Sequence, residues 1–160
     1  MTLFLLRHAQ AGSRGRFDGE DLVRPLSSEG RHQAADIVGA LRELGITGVL
    51  SSPYRRCIET AAPTAAALGL RVAIEDCLAE GPSAHAIDLA RKFALSDVVF
   101  CSHGDVIPAI LEWVQVHDAV DLGREPRCQK GSVWMLEPDR DTPGRFVSAS
   151  YLPPPRIRFP

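Results

Sequence analysis

Short apolar runs alternate along this chain with stretches in which apolar residues recur at helical spacing. Thr2 to Leu6 is nearly continuous in apolar side chains and predicts a strand; Gly48 to Ser51 predicts a short second one, Leu70 to Ile74 alternates as a third, and Asp97 to Ser102 predicts a buried fourth. Helical patterns fall between them. Ser27 is a good N-cap residue, and Ala34, Ile37, Val38, Leu41 and Leu44 after it share one helix face, closed by Gly45. Pro53 to Leu68 predicts a second helix, opened by proline and stopped at Gly69, with Pro63 expected to kink it or end its first part. Ser83 to Ala94 and Val106 to Val116 predict a third and a fourth, with Pro108 in the first turn of the latter. Ser132 to Leu136 and Arg145 to Ser150 read as late strands joined by a turn-rich segment from Glu137 to Gly144, hence an antiparallel hairpin at one edge.

Strand–helix alternation predicts an α/β fold: a single three-layer domain over residues 1–152, with a mostly parallel central sheet, helices on both faces and an antiparallel edge strand. Pro153-Pro154-Pro155 ends regular structure and leaves 153–160 as an extended C-terminal tail. A chain of 160 residues suits one domain with one adequate core. The longest irregular stretch, Ala9 to Pro25, is rich in Gly, Arg and Asp; a loop of that length is a functional or a disordered segment.

Composition narrows the function classes. The net charge of −2 leaves no global field drawing the chain to nucleic acid or anionic lipid, so any anion binding must come from local arrangement. No apolar run approaches the roughly 20 residues a bilayer span needs. Thr2 to Leu6 reads as a strand rather than a leader, and the expected location is the cytoplasm. The four cysteines, Cys57, Cys77, Cys101 and Cys128, form no CxxC pair and no zinc-ligand spacing with histidine. A reduced protein without metal or other cofactor is expected, and no basic pattern marks a cysteine nucleophile.

Candidate chemistry lies at two predicted strand ends. His8 follows Arg7 where the first strand runs out, and His103, followed by Gly104 and Asp105, does the same after Val98 to Ser102. Ligands of an open α/β sheet sit in the crevice beyond the carboxyl ends of its strands. A lone histidine there more often caps a strand; two in the same context, with arginines at hand, point to a site for an anionic group. His32 falls on the polar side of its helix and is expected in solvent, and no motif surrounds His85 or His117, which are expected in surface or helix-end roles. Trp113 and Trp134 read as core or pocket-wall residues.

Five ordered blocks carry a resemblance: Leu6-Arg7-His8-Ala9, Arg24-Pro25-Leu26-Ser27 leading into the first helix, Ser51-Ser52-Pro53-Tyr54-Arg55-Arg56, Leu78-Ala79-Glu80, and Ser102-His103-Gly104. Together they resemble the histidine phosphatase superfamily, the phosphoglycerate-mutase-like fold. The resemblance implies that His8 is the nucleophile of a metal-independent phosphatase passing through a covalent phosphohistidine. It implies that Arg7, Arg56 and His103 hold the phosphoryl oxygens, where charge spreads in the transition state, and that Gly104 lets the backbone approach. Arg55 is expected as a solvated neighbour of Arg56. Glu80 stands at the family's acid position; Glu75 and Asp76, nearby but outside the motif, are poorer alternatives. Asp105 departs from the residue often seen after that glycine and could bond a helix N-terminal amide.

The stretch after Glu80 leaves little room for the insertion that covers the pocket of mutases, which resembles the small lid-less branch of phosphohistidine phosphatases. An open site favours release to water and admits a phosphorylated small molecule or a phosphorylated protein side chain. Arg14, Arg16 and Arg24 flank the expected pocket mouth; contact with a second anionic group and a mobile charged loop are both open for them. Two other functions stay open, a phosphate-recognising module without turnover and a phosphomutase. So do the substrate and the choice between monomer and homodimer.

Overall fold

Alternate residues of the first strand point to opposite faces, and both faces are buried. That pattern is what places a strand at the centre of a three-layer domain. The computed structural model describes residues 1–155. In chain order it contains β1 (Leu3–Arg7), α1 (Ser28–Leu41), β2 (Gly48–Ser51), α2 (Arg55–Ala67), β3 (Val72–Ile74), α3 (Ala84–Lys92), β4 (Val98–Ser102), α4 (Val106–His117), β5 (Val133–Pro138) and β6 (Phe146–Leu152).

The strands form one sheet in the order β3-β2-β4-β1-β5-β6. β1, β2, β3 and β4 run parallel, while β5 lies antiparallel to β1 and pairs with β6 as a hairpin. On one face Leu3, Leu5, Val98 and Phe100 pack against Ala86 and Ala90 of α3 and Ile107, Ile110, Leu111 and Val114 of α4. On the other, Phe4, Leu6, Val99 and Cys101 pack against Ile37 and Leu41 of α1 and Cys57 and Ala61 of α2. Fully burying one such aliphatic side chain is worth about 1.5–3 kcal/mol, so both helical layers are held by the same two central strands.

The register of β1 on β4 runs from Leu3 opposite Val98 to Arg7 opposite Ser102. The two strands therefore end level, and the residue after each is a histidine.

Three local expectations differ in detail. α2 starts at Arg55 and runs through Pro63 to Ala67 without ending there. Thr64 and Ala65, one and two residues on, are buried against the core, and that packing holds the turn the proline cannot bond. Leu44 lies past the end of α1 and is 41% exposed rather than sharing its apolar face. The Ala9–Pro25 segment is folded into two short 3₁₀ turns, Arg14–Arg16 and Asp21–Val23. Of the expected tail, 156–160 lie outside the described residues.

Candidate active site

The amide of His8 donates to the Ser102 carbonyl at 3.0 Å, tying the end of β1 to the end of β4. One residue on, the Ala9 amide donates to Thr60 Oγ1 of α2 at 3.0 Å. His8 is 5% exposed, and its Nδ1 lies 2.8 Å from the Ala9 carbonyl oxygen. A carbonyl can only accept, so Nδ1 carries the proton and Nε2 keeps its lone pair. Burial, followed by the nearby charges of His103, Arg56 and Arg7, lowers the His8 pKa to about 3, although the Ala9 bond works the other way. The imidazole is therefore neutral across the physiological range, with Nε2 3.4 Å from Arg56 Nε.

His103 stands beside it, ring centroids 5.3 Å apart. Its Nδ1 is 3.3 Å from Glu80 Oε1 and 3.4 Å from Arg56 Nη2. Its Nε2 is 2.8 Å from the buried Ser52 hydroxyl and 3.5 Å from Cys57 Sγ. Ser52 thus holds the far side of the ring while Nδ1 is turned to the guanidinium.

Arg56 is fully buried in the first turn of α2, over the Tyr54 ring at 4.6 Å. Its Nη2 donates to Glu80 Oε1 at 2.6 Å, and its Nη1 to the Asp21 carbonyl at 3.0 Å, with Asp21 Oδ2 at 3.1 Å. Arg7, at the end of β1, donates from Nη1 to the Cys128 carbonyl, and its buried Nε has no partner among the described residues. An unpartnered buried guanidinium N–H is costly unless a ligand takes it.

Gly104 explains how Arg7 fits. A Cβ there would lie 2.6 Å from both Cζ and Nη2 of Arg7. The clash is with the far end of a flexible side chain, so the fold tolerates it and the guanidinium does not stay in place. Gly104→Ala is expected to shift the melting temperature little while lowering kcat/KM for an aryl phosphate at least about tenfold, the scale of one charge-assisted hydrogen bond. A steady-state assay beside a thermal melt checks both halves.

Of the acids read from the sequence, Glu80 is the one bonded into this cluster. Its Oε2 also accepts from Arg14 Nη2 at 2.7 Å. Asp105 caps α4 by accepting from the Val106 amide at 2.9 Å, and its other oxygen takes the Gly81 amide at 3.0 Å, anchoring the residue next to Glu80. Arg55 is exposed and paired with Glu59 at 2.6 Å.

Of the three arginines expected at the mouth, Arg16 is exposed, and Arg14 and Arg24 part company. Arg14 is exposed there and bridges Asp21 and Glu80. Arg24 is buried and turned into the loop, donating to Asp21 Oδ1 at 2.8 Å and to the Ala11 and Gly12 carbonyls at 2.9 and 3.0 Å. A guanidinium so occupied braces the loop instead of facing the hollow.

Asp21 is the residue that sequence reasoning missed. Burial alone would raise its pKa, but Arg14, Arg24 and Arg56 hold the carboxyl well below the usual carboxylate range. Its only local signal is an acid three residues before Arg24. Ser52 and Cys57 were also absent from the candidate set, because their role depends on where His103 lies.

A sequence model of the histidine phosphatase superfamily (branch 1) matches residues 3–82, half of the chain, with His8, Arg7, Arg56 and Glu80 inside the match. The chain belongs to that superfamily. This histidine-phosphatase-type domain is 34% identical over 160 residues to an 8-oxo-(d)GTP phosphatase of Mycolicibacterium smegmatis, across 96% of this chain and 48% of that protein. The chain thus spans about half the length of this curated relative. Its fold is that of the protein histidine phosphatase SixA solved with tungstate, at TM-score 0.73 and 19% identity over 95% of this chain and 94% of that one. A protein from Agrobacterium tumefaciens described as a candidate phosphohistidine phosphatase SixA superposes at TM-score 0.75 with 22% identity, over 96% of this chain and 97% of that one. Among the described residues, no helix is long and apolar enough to cross a membrane.

Proposed function

We propose that this histidine phosphatase domain transfers a phosphoryl group from a phosphomonoester or a phosphohistidine to His8 Nε2 and then to water. The observation that carries this reading is the Nδ1–H bond to the Ala9 carbonyl, which leaves an unprotonated Nε2 beside buried guanidinium donors.

In the first step the Nε2 lone pair attacks phosphorus in line. The N–P bond forms, the bond to the leaving oxygen breaks, and that oxygen keeps the electron pair and takes a proton. In the second, a water oxygen attacks phosphorus, the N–P electron pair returns to Nε2, and the water proton passes to a carboxylate. The Arg7 Nε–H, the Arg56 guanidinium and His103 Nδ1 supply donors for the equatorial oxygens, so the charge they accumulate is met by fixed donors. These side chains furnish the positive charge from the protein itself, and turnover is expected to persist in a chelator. The tungstate carried by SixA supports an oxyanion in such a hollow.

Glu80 is the proposed proton donor, 3.3 Å from His103 Nδ1. Both its oxygens accept guanidinium N–H bonds here, so a proton on Glu80 requires one of those bonds to let go. The name of the mycobacterial relative supports nucleotides as one substrate group to test, and the SixA likeness supports a phosphorylated protein side chain as another.

Steady-state rates on a series of phosphate esters with leaving groups of rising basicity, for wild type and Glu80→Gln, test this. General acid catalysis is worth typically about 10²–10⁴-fold. Glu80→Gln is expected to lose that much on alkyl phosphates and far less on p-nitrophenyl phosphate. Equal losses across the series would remove Glu80 from the acid role. No hydrolysis of any ester by the wild type would leave a phosphate-binding module in its place.

A further inference from the structure

Beyond the motif blocks, the loop between α4 and β5 is clamped against the catalytic strand end. The Gly131 amide donates to the Arg7 carbonyl at 3.0 Å and the His8 carbonyl at 3.2 Å. Gln33 of α1 donates to the Lys130 carbonyl at 2.8 Å. Gly131 has φ 79°, a conformation that favours glycine, and a Cβ on it would lie 2.5 Å from Cδ of the Gln33 side chain that holds Lys130. The same loop presents the Cys128 carbonyl to Arg7 Nη1. Lys130, partly buried, is thus fixed at the root of its side chain next to the residues that hold the phosphoryl group.

The charges around the hollow leave this lysine without a counter-ion. The Asp21 and Glu80 carboxylates are engaged by Arg14, Arg24 and Arg56. Among the described residues, no carboxylate pairs with Arg7 or with Lys130. Desolvation first, then the like charges of Arg7, Arg24 and Arg56, push the Lys130 ammonium below the ordinary lysine range. A cation placed among cations without a counter-ion is unfavourable in the free protein, and a bound anion relieves it. One phosphoryl group is already provided for by Arg7, Arg56 and His103. Lysine is a compact charge on a flexible stem, suited to an anion whose position varies.

We propose that Lys130 is a specificity-determining residue that binds a second anionic group, carried by the substrate next to the transferred phosphoryl group, so that the site prefers diphosphates to monophosphates. This deepens the phosphatase reading and rests on its placement of the first phosphoryl group. It concerns a loop outside residues 3–82, where the family match lies.

The test uses methylenediphosphonate and methylphosphonate, which carry two and one phosphonate groups and cannot be hydrolysed. Calorimetry at one ionic strength gives Kd for both probes with wild type, Lys130→Gln and Lys130→Arg. Wild type is expected to bind the diphosphonate at least about tenfold more tightly, the scale of one charge-assisted contact. Lys130→Gln should lose most of that preference, and Lys130→Arg should keep it. A wild type without preference, a preference that survives in Lys130→Gln, or equal weakening of both probes overturns the proposal. Neither probe requires turnover, so a protein that hydrolyses nothing would defeat the phosphatase reading while these affinities still decide the role of Lys130.

Discussion

His8→Ala is expected to abolish phosphate-ester hydrolysis, by on the order of 10⁴-fold or more, while the chain stays folded. The side chain removed provides the Nε2 lone pair, and the hollow has no second group in that position: the Nδ1 of His103 faces Glu80 and Arg56, and its Nε2 faces Ser52. Rapid base-quench trapping, which spares the acid-labile N–P bond, should show a phosphorylated protein in wild type and none in the variant. A variant that retains its rate, or still traps phosphate, ends the assignment of His8.

The same variant carries a signature in stability. His8 titrates near 3 in the folded protein and near its ordinary 6.5 when unfolded. Between those values the unfolded chain takes up a proton that the folded chain refuses. Stability is therefore lost as pH falls from about 6.5 toward 3, by up to about 1.4 kcal/mol per pH unit from this group. Asp21 acts lower: its carboxylate is held below its unfolded value, so its contribution is present above about 4 and lost beneath it. Urea denaturation from pH 7.5 to 4.5 isolates the histidine. Wild type should lose stability relative to His8→Ala over that range, and a constant difference would contradict a buried neutral imidazole.

Gly30→Ala is expected to cost about 3 kcal/mol or more, lowering the melting temperature by about 6–12 °C for a domain of this size. A Cβ at Gly30 would stand 1.9 Å from the Gln10 carbonyl oxygen and 2.8 Å from its carbon. That oxygen already accepts from the Ser27 amide at 2.9 Å and the Ser27 hydroxyl at 3.2 Å, where the start of α1 docks on the loop after β1. The obstacle is main chain, so no rotamer change relieves it. Either α1 swings off or Gln10 moves, taking Ala9 and the carbonyl that fixes the His8 tautomer with it. Activity per folded molecule should therefore fall as well. Gly39 of the same helix is the control: a Cβ there meets nothing within 4 Å, so Gly39→Ala should stabilise by roughly 0.5–1 kcal/mol. Comparable melts for the two variants would show that helix propensity, rather than the Gln10 contact, governs Gly30.

How much of this could be read from the chain depends on the range of the signal. The strands were legible because β1, β2 and β4, buried in the middle of the sheet, write themselves as short apolar runs, while the exposed edge strand β3 shows as alternation. The helices were legible from their spacing and from punctuation such as Ser27, whose hydroxyl accepts from the Gly30 amide at 3.1 Å. Pro63 does not end α2, because propensity speaks for one turn, whereas the buried positions of Thr64 and Ala65 outweigh it.

Arg7, His8, Arg56, Glu80 and His103 could be named because each sits at the end of an element with a recognisable neighbour. The bonds among them could not. Nothing in the sequence says that Arg24 turns inward to the Ala11 and Gly12 carbonyls, that Asp21 is shared by three arginines, or that Ser52 backs His103.

By itself, then, the amino-acid sequence determined the alternation of strands and helices and which residues stand at the strand ends, since local patterning and burial on two faces suffice for that. The tertiary structure alone decided that β1 lies between β4 and β5. That placement brings His8 against His103 from one side and the Lys130 loop against Arg7 from the other. Such contacts join residues close to 100 or more positions apart, and their strength comes from exclusion of water and from shared charges.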